Sequence, residues 1–141
     1  MTRDEVIAKW NSMSPRERDA WVAMDVMKYN IERKIGEFGP EFLVLKPHEA
    51  INWMTHSVQF SPTTDIAAAW EVIDKLSKTH FTETAMTQLD DGSWGWMARF
   101  ILAEGEPCWM KGYRMTAATA QEAICLAALI ATQGEGIEHE Q

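Results

Sequence analysis

Trp109, Lys111 and Tyr113 alternate along a run, Cys108 to Met115, that reads as a β-strand, so the three share one side of it. Arg99 and Arg114 lie on the same ribbon of strands. Flat rings beside fixed cations suit a nucleotide-like ligand, whose base stacks on a ring and whose phosphates pair with Arg or Lys. Stacking of this kind contributes on the order of 1–3 kcal/mol per base. Trp53 and His56, in an earlier extended run, complete the set of candidate ligand-binding residues. The competing reading is that the tryptophans fill a sheet–helix interface or a subunit contact, and that the cations form a solvated sheet face.

Other chemistry finds less support. The chain has no Gly-x-Ser-x-Gly, His-Glu-x-x-His, P-loop or dinucleotide-type glycine turn. Its histidines, at 48, 56, 80 and 139, are scattered. His48-Glu49 could in principle pair for proton transfer, and a small hydrolase acting there is the weakest of the functional alternatives. Asp90-Asp91 is followed by Gly92 and reads as a hairpin turn rather than a metal site. No catalytic residue, metal ligand or cofactor is therefore assigned, and binding rather than turnover is the expected role.

The balance of charge narrows the partners. At 141 residues with a net charge of −8, the chain cannot rely on general phosphate neutralisation, so general nucleic-acid binding is not expected. No apolar run approaches the roughly 18 residues of a membrane span, and Met1-Thr2-Arg3-Asp4-Glu5 lacks the pattern of a secretory signal. Cys108 and Cys125 have no metal-type spacing, so a reduced, cytoplasmic state is expected. Seven tryptophans exceed what packing a domain of this size requires, which points to an aromatic binding surface or to a homo-oligomer.

The elements that must position these residues read as one α+β domain over 1–133, with an acidic, flexible tail at 134–141. Thr2/Glu5, Ser14/Glu17 and Thr119/Glu122 each have the spacing of a capping box. They open helices from Arg3 to about Trp10, from Pro15 to about Asn30, and from about Ala120 to near Gly134. The second helix presents Ala20, Trp21, Met24, Met27 and Ile31. The chain is organised around the stretch Ser61–Leu76. There Ile66, Ala69, Trp70, Ile73 and Leu76 recur at helical spacing, Thr63 or Thr64 is the expected cap, and a sheet is the expected neighbour. Phe42–Leu45 and Trp53–Phe60 are candidate strands in the poorly patterned segment 32–60. A β-meander follows, with strands Phe81–Leu89, Ser93–Leu102 and Cys108–Met115 and turns at Asp90-Asp91-Gly92 and Glu104–Pro107. In its second strand Trp94, Trp96, Ala98, Phe100 and Leu102 form the expected core face, and Ser93, Gly95, Met97, Arg99 and Ile101 the other.

The order from residue 63, helix then three strands then helix, is similar in outline to a double-stranded-RNA-binding domain. That activity needs a lysine cluster at the start of the last helix, and Thr116–Glu122 holds no base.

Three segments together resemble the phage ABA sandwich domain family. Arg18-Asp19-Ala20-Trp21-Val22-Ala23-Met24-Asp25-Val26-Met27 is similar to its opening helix. Ser61–Leu76 is similar to its Tyr-Ser-Thr-Asp-Ile-Ala-Ala-Ala-Trp core, and Ala118–Leu129 to its Ala-Ile-Cys-Arg-Ala-Ala-Leu ending. The chain departs from the family at Lys28-Tyr29, where Gly-Trp is frequent, and at Leu126, where a base is common. The resemblance implies an α/β sandwich with an antiparallel sheet, and a phage accessory protein in a bacterial cytoplasm. It brings no catalytic residues. By analogy with small phage proteins that act as ligand sponges, the expected function is sequestration of a nucleotide-derived immune signal of the host. The alternative is a protein-interaction module without a small ligand.

Overall fold

The computed structural model describes residues 1–36, 39–47, 55–102 and 111–133. Helix α1 spans Arg3–Ser12 and α2 spans Pro15–Trp21, running on into a π-helical turn at Val22–Val26. Strands β1 (Asn30–Gly36), β2 (Gly39–Pro47) and β3 (Thr55–Val58) form one antiparallel sheet in that order. Helix α3 (Ile66–Leu76) precedes β4 (His80–Gln88), β5 (Trp94–Leu102) and β6 (Lys111–Ala117), an antiparallel meander that forms the second sheet. Helix α4 spans Ala120–Gln133. The fold is the α+β class expected from the sequence.

The caps form as their spacing requires. The Glu5 amide donates to Thr2 Oγ1 at 3.2 Å and the Thr2 amide to Glu5 Oε1 at 3.4 Å. Ser14 and Glu17 repeat the exchange at 3.0 and 3.3 Å. Thr119 accepts from the Glu122 amide at 3.2 Å, while its hydroxyl donates to the Glu122 carboxylate. The Thr2 and Ser14 boxes satisfy amides that the helix itself leaves open, whereas at Thr119 the cap forms without the reciprocal bond to its own amide.

The organising element is α4 rather than the Ser61–Leu76 stretch. All residues from Ala123 to Ile130 are buried, because α4 touches β5 and β6 on one side and α1, the π turn and α3 on the other. A helix that is apolar all round belongs in the middle of a core, and alanines at 123, 127 and 128 let its neighbours approach closely. Helix α3 packs mainly on α4, not on a sheet. Its buried face is Ala68, Ala69, Val72, Ile73 and Leu76, while Ile66 is 44% exposed and Trp70 53% exposed. Two faces about one residue apart share Ala69, Ile73 and Leu76. Small side chains at 68 and 72 fit against the alanine-rich α4 better than an indole does. The cap is Asp65, whose carboxylate accepts from the Ala67 amide at 3.1 Å, and not Thr63 or Thr64.

The second helix also departs from its expected course. It stops at Met27, and Asn30 and Ile31 already belong to β1. The π turn makes the Met27 amide donate to the Val22 carbonyl, five residues back, and the Tyr29 amide donates to Ala23 at 2.8 Å. The extra residue turns Met24 outward and buries Val22, Ala23 and Val26. Lys28 then leaves the helix at φ 61°. A side chain in this left-handed region is disfavoured by roughly 1–2 kcal/mol, and glycine is not. Lys28→Gly is therefore expected to raise unfolding stability by up to about 1 kcal/mol in urea titrations. A loss of stability instead would mean that the lysine side chain supplies more than the strain removes.

The Asp90-Asp91-Gly92 turn forms as expected, with Gly92 at φ 86° and the Gly92 amide donating to Leu89. The Asp91 carboxylate accepts from the Ser93 hydroxyl and amide, which hold its carboxyl below the usual range. On β5, Ala98 and Phe100 are buried under α4, with Trp96 and Leu102 packed beside them, whereas Trp94 is exposed. The expected acidic tail, the turn at 104–107, His48, Cys108, Trp53 and Trp109 lie outside the described residues.

Candidate functional site

Strand alternation sends Arg99, between the buried Ala98 and Phe100, to the face of the β4–β5–β6 sheet away from α4. The register opposes Arg99 to Glu83 on one neighbour and to Arg114 on the other. The next row on this face is Phe81, Ile101 and Gly112; the row on the other side is Ala85, Met97 and Thr116. Arg99, Met97 and Ile101 are half-buried, while Glu83 and Arg114 are exposed. Phe81 is 60% exposed. Two guanidinium groups are thus adjacent across a strand pair, with one acid and an exposed ring beside them. Like charges directly opposite are unfavourable by a few tenths to about 1 kcal/mol, and neither arginine makes an ion pair among the described residues. An anion seated between them would offset that repulsion and would find planar, bidentate donors.

The other sequence candidates are placed differently. Lys111 and Tyr113 occupy β6 positions opposite Leu102 and Phe100, out of step with Arg114. His56 lies in β3 opposite Lys46, in the other sheet. The sequence reading missed Phe81 as a companion of Arg99. The signal was present in the Met97, Arg99, Ile101 alternation, but the pairing partners across β4 become visible only once the register is known.

Titratable groups elsewhere are tied into the scaffold. Asp19 Oδ1 accepts from the Thr63 amide at 2.9 Å, joining α2 to the loop before α3, and the Gln121 side chain donates to the Thr64 carbonyl in the same loop. Burial raises the Asp19 carboxyl above its ordinary value of 3.8, outweighing the Thr63 amide. A carboxyl raised in the folded state favours folding most when protonated, so this contribution is full below about pH 3.8 and is lost as pH rises through the elevated value. Asp19→Asn keeps an acceptor for Thr63 without the buried charge. Stability of the variant relative to the parent should therefore increase as pH rises from about 3.5 towards about 7. Urea titrations that show a constant difference would refute this role.

Cys125 is a free thiol that burial pushes well above the ordinary thiol range, with Asp19 and Glu122 adding in the same direction. It is accordingly unreactive. His80 sits edge-on to Phe100 and within 2.8 Å of Thr79 Oγ1; burial lowers its pKa, so it is neutral near pH 7. Among the described residues, no group of three or more His, Cys, Asp or Glu side chains could hold a metal, and no helix is long and apolar enough to cross a membrane.

The family model of the phage ABA sandwich domain matches residues 20–129, most of the chain, from the last residues of α2 into α4. The chain belongs to the phage ABA sandwich domain family. No curated protein matches it significantly. Within the family match lie both the Arg99–Arg114 row and the buried helix that shapes the sheet beneath it.

Proposed function

We propose that this phage ABA sandwich protein is a non-catalytic accessory protein that binds and sequesters a small nucleotide-derived anion, such as an immune signal of the host, on the face of the second sheet away from α4. The observation that carries this reading is the cross-strand opposition of Arg99 and Arg114 beside the exposed ring of Phe81. The two arginines would take phosphate oxygens and Phe81 would stack on a base. Arg99→Ala or Arg114→Ala should each weaken binding by roughly 10- to 100-fold, since a hydrogen bond to a charged group contributes about 1.5–3 kcal/mol. The measurement is calorimetry, supported by thermal shift, against a panel of cyclic and ADP-ribose-type nucleotides. Native mass spectrometry of the protein purified from its bacterial host would reveal a carried ligand. An empty protein that shows no thermal shift with the panel would sink this reading.

A second reading, a protein-interaction module, is favoured by a different observation. Ile66 and Trp70 on α3, together with Met86 and Trp94 on the β4–β5 hairpin, are large apolar side chains left exposed.

A further inference from the structure

The two edges of the second sheet are treated differently. On the β6 edge, the Arg3 guanidinium of α1 donates to the Arg114 carbonyl at 3.3 Å, so a side chain covers main-chain groups there. On the other edge lies β4, paired only with β5 among the described residues. Its register with β5 runs residue for residue from His80↔Leu102 to Gln88↔Trp94, without a bulge. Soluble proteins usually blunt such an edge with lysine, proline, a bulge or a very short strand. The β4 sequence His-Phe-Thr-Glu-Thr-Ala-Met-Thr-Gln has none of these over nine residues. It carries the β-favouring residues Phe and Thr, and it exposes an apolar side chain on each face, Phe81 at 60% and Met86 at 61%.

We propose that β4 pairs antiparallel with β4 of a second copy of this chain, making one continuous six-stranded sheet across a two-fold axis at Thr84. The strand's own sequence is compatible with a second copy as the occupant. With Thr84 opposite its own counterpart, all nine positions pair. Phe81 meets Thr87 of the second copy, Thr82 meets Met86, and Glu83, the only acidic residue of the strand, meets Ala85 rather than another carboxylate. The apolar side chains exposed along the edge gain cross-strand neighbours, and main-chain groups that face solvent gain partners. An isologous contact of this kind closes on itself, uses up the β4 edge of both copies, and leaves the sheet to end on the two β6 edges, where Arg3 meets the Arg114 carbonyl. The inference stands independently of any nucleotide, and it leaves the Arg99–Arg114 row of each copy on the same outer face.

Light scattering coupled to size exclusion on the full chain should give twice the 16.1 kDa monomer mass. Thr84→Lys places two ammonium groups together at the axis and should raise the dimer dissociation constant on the order of 100-fold, since juxtaposed like charges are unfavourable by several kcal/mol. Thr84→Cys should form a covalent dimer on mild oxidation that the parent protein, with its own cysteines, does not form. Circular dichroism verifies that each variant is folded. If Thr84→Lys does not fold, the crosslinking result decides. A monomeric parent at high concentration, a dimer indifferent to Thr84→Lys, or a folded Thr84→Cys protein that does not crosslink would each overturn the proposal.

Discussion

Phe100→Ala is expected to destabilise the domain by about 3–5 kcal/mol, a large part of the roughly 5–15 kcal/mol that holds a domain of this size together. Phe100 lies on the central strand of its sheet and is fully buried. Its ring meets His80 edge-on at a centroid separation of 6.4 Å, and α4 closes over the same face. Truncation removes the transfer free energy of the ring and leaves a cavity that two rigid layers, a sheet and a helix, cannot easily collapse into. Phe100→Leu should recover much of the loss, because it refills the space with apolar volume. Urea denaturation of both variants measures the difference. A loss below about 1.5 kcal/mol for Phe100→Ala, outside the usual range for such a truncation, would mean that the sheet does not pack against α4 by this face.

Gly95→Val is expected to reach or exceed the top of the roughly 1–3 kcal/mol range for overpacking. Any β-carbon at position 95 would come within 2.7 Å of the Ala117 carbonyl oxygen and 2.7 Å of Leu89 Cδ1. Leu89 could rotate away, but the carbonyl belongs to the end of β6 and can yield only if that strand shifts. The substitution therefore acts on the β5–β6 pairing as well as on packing. Loss of stability should be accompanied by faster amide exchange along β6 than along β4. Equal protection of both strands, with stability unchanged, would show that β6 is free to move.

Much of the fold was legible because local chemistry is unambiguous at its boundaries. The Thr2, Ser14 and Thr119 caps, the Asp90-Asp91-Gly92 turn and the alternation through Trp96, Ala98, Phe100 and Leu102 each have a short-range cause. What was hidden depends on longer-range choices. On α3, faces containing Trp70 or Val72 are equally periodic, and the alanine-rich surface of α4 decides between them. The strand at Asn30–Gly36 was obscured because Ile31 continues a helical spacing, and only the π turn and the left-handed Lys28 break it. Of the candidate site, Arg99 and Arg114 lie on the meander as their strand spacing implies, but their direct opposition depends on the register between β5 and β6, which spacing within one strand does not carry.

The burial of α4 also has a consequence for how the protein is made. Helices α1 and α3, the π turn and the covered face of the second sheet all pack on residues 120–133. On a translating ribosome, α1, the π turn, α3 and the meander are synthesised before the surface they pack on exists. Until α4 emerges, those stripes and the β4 edge are exposed together in a nascent chain, a state prone to capture by chaperones or by neighbouring chains. Synthesis that stalls before residue 120 would yield a sticky fragment rather than a smaller domain, and the rate at which the final helix docks governs how long that hazard lasts.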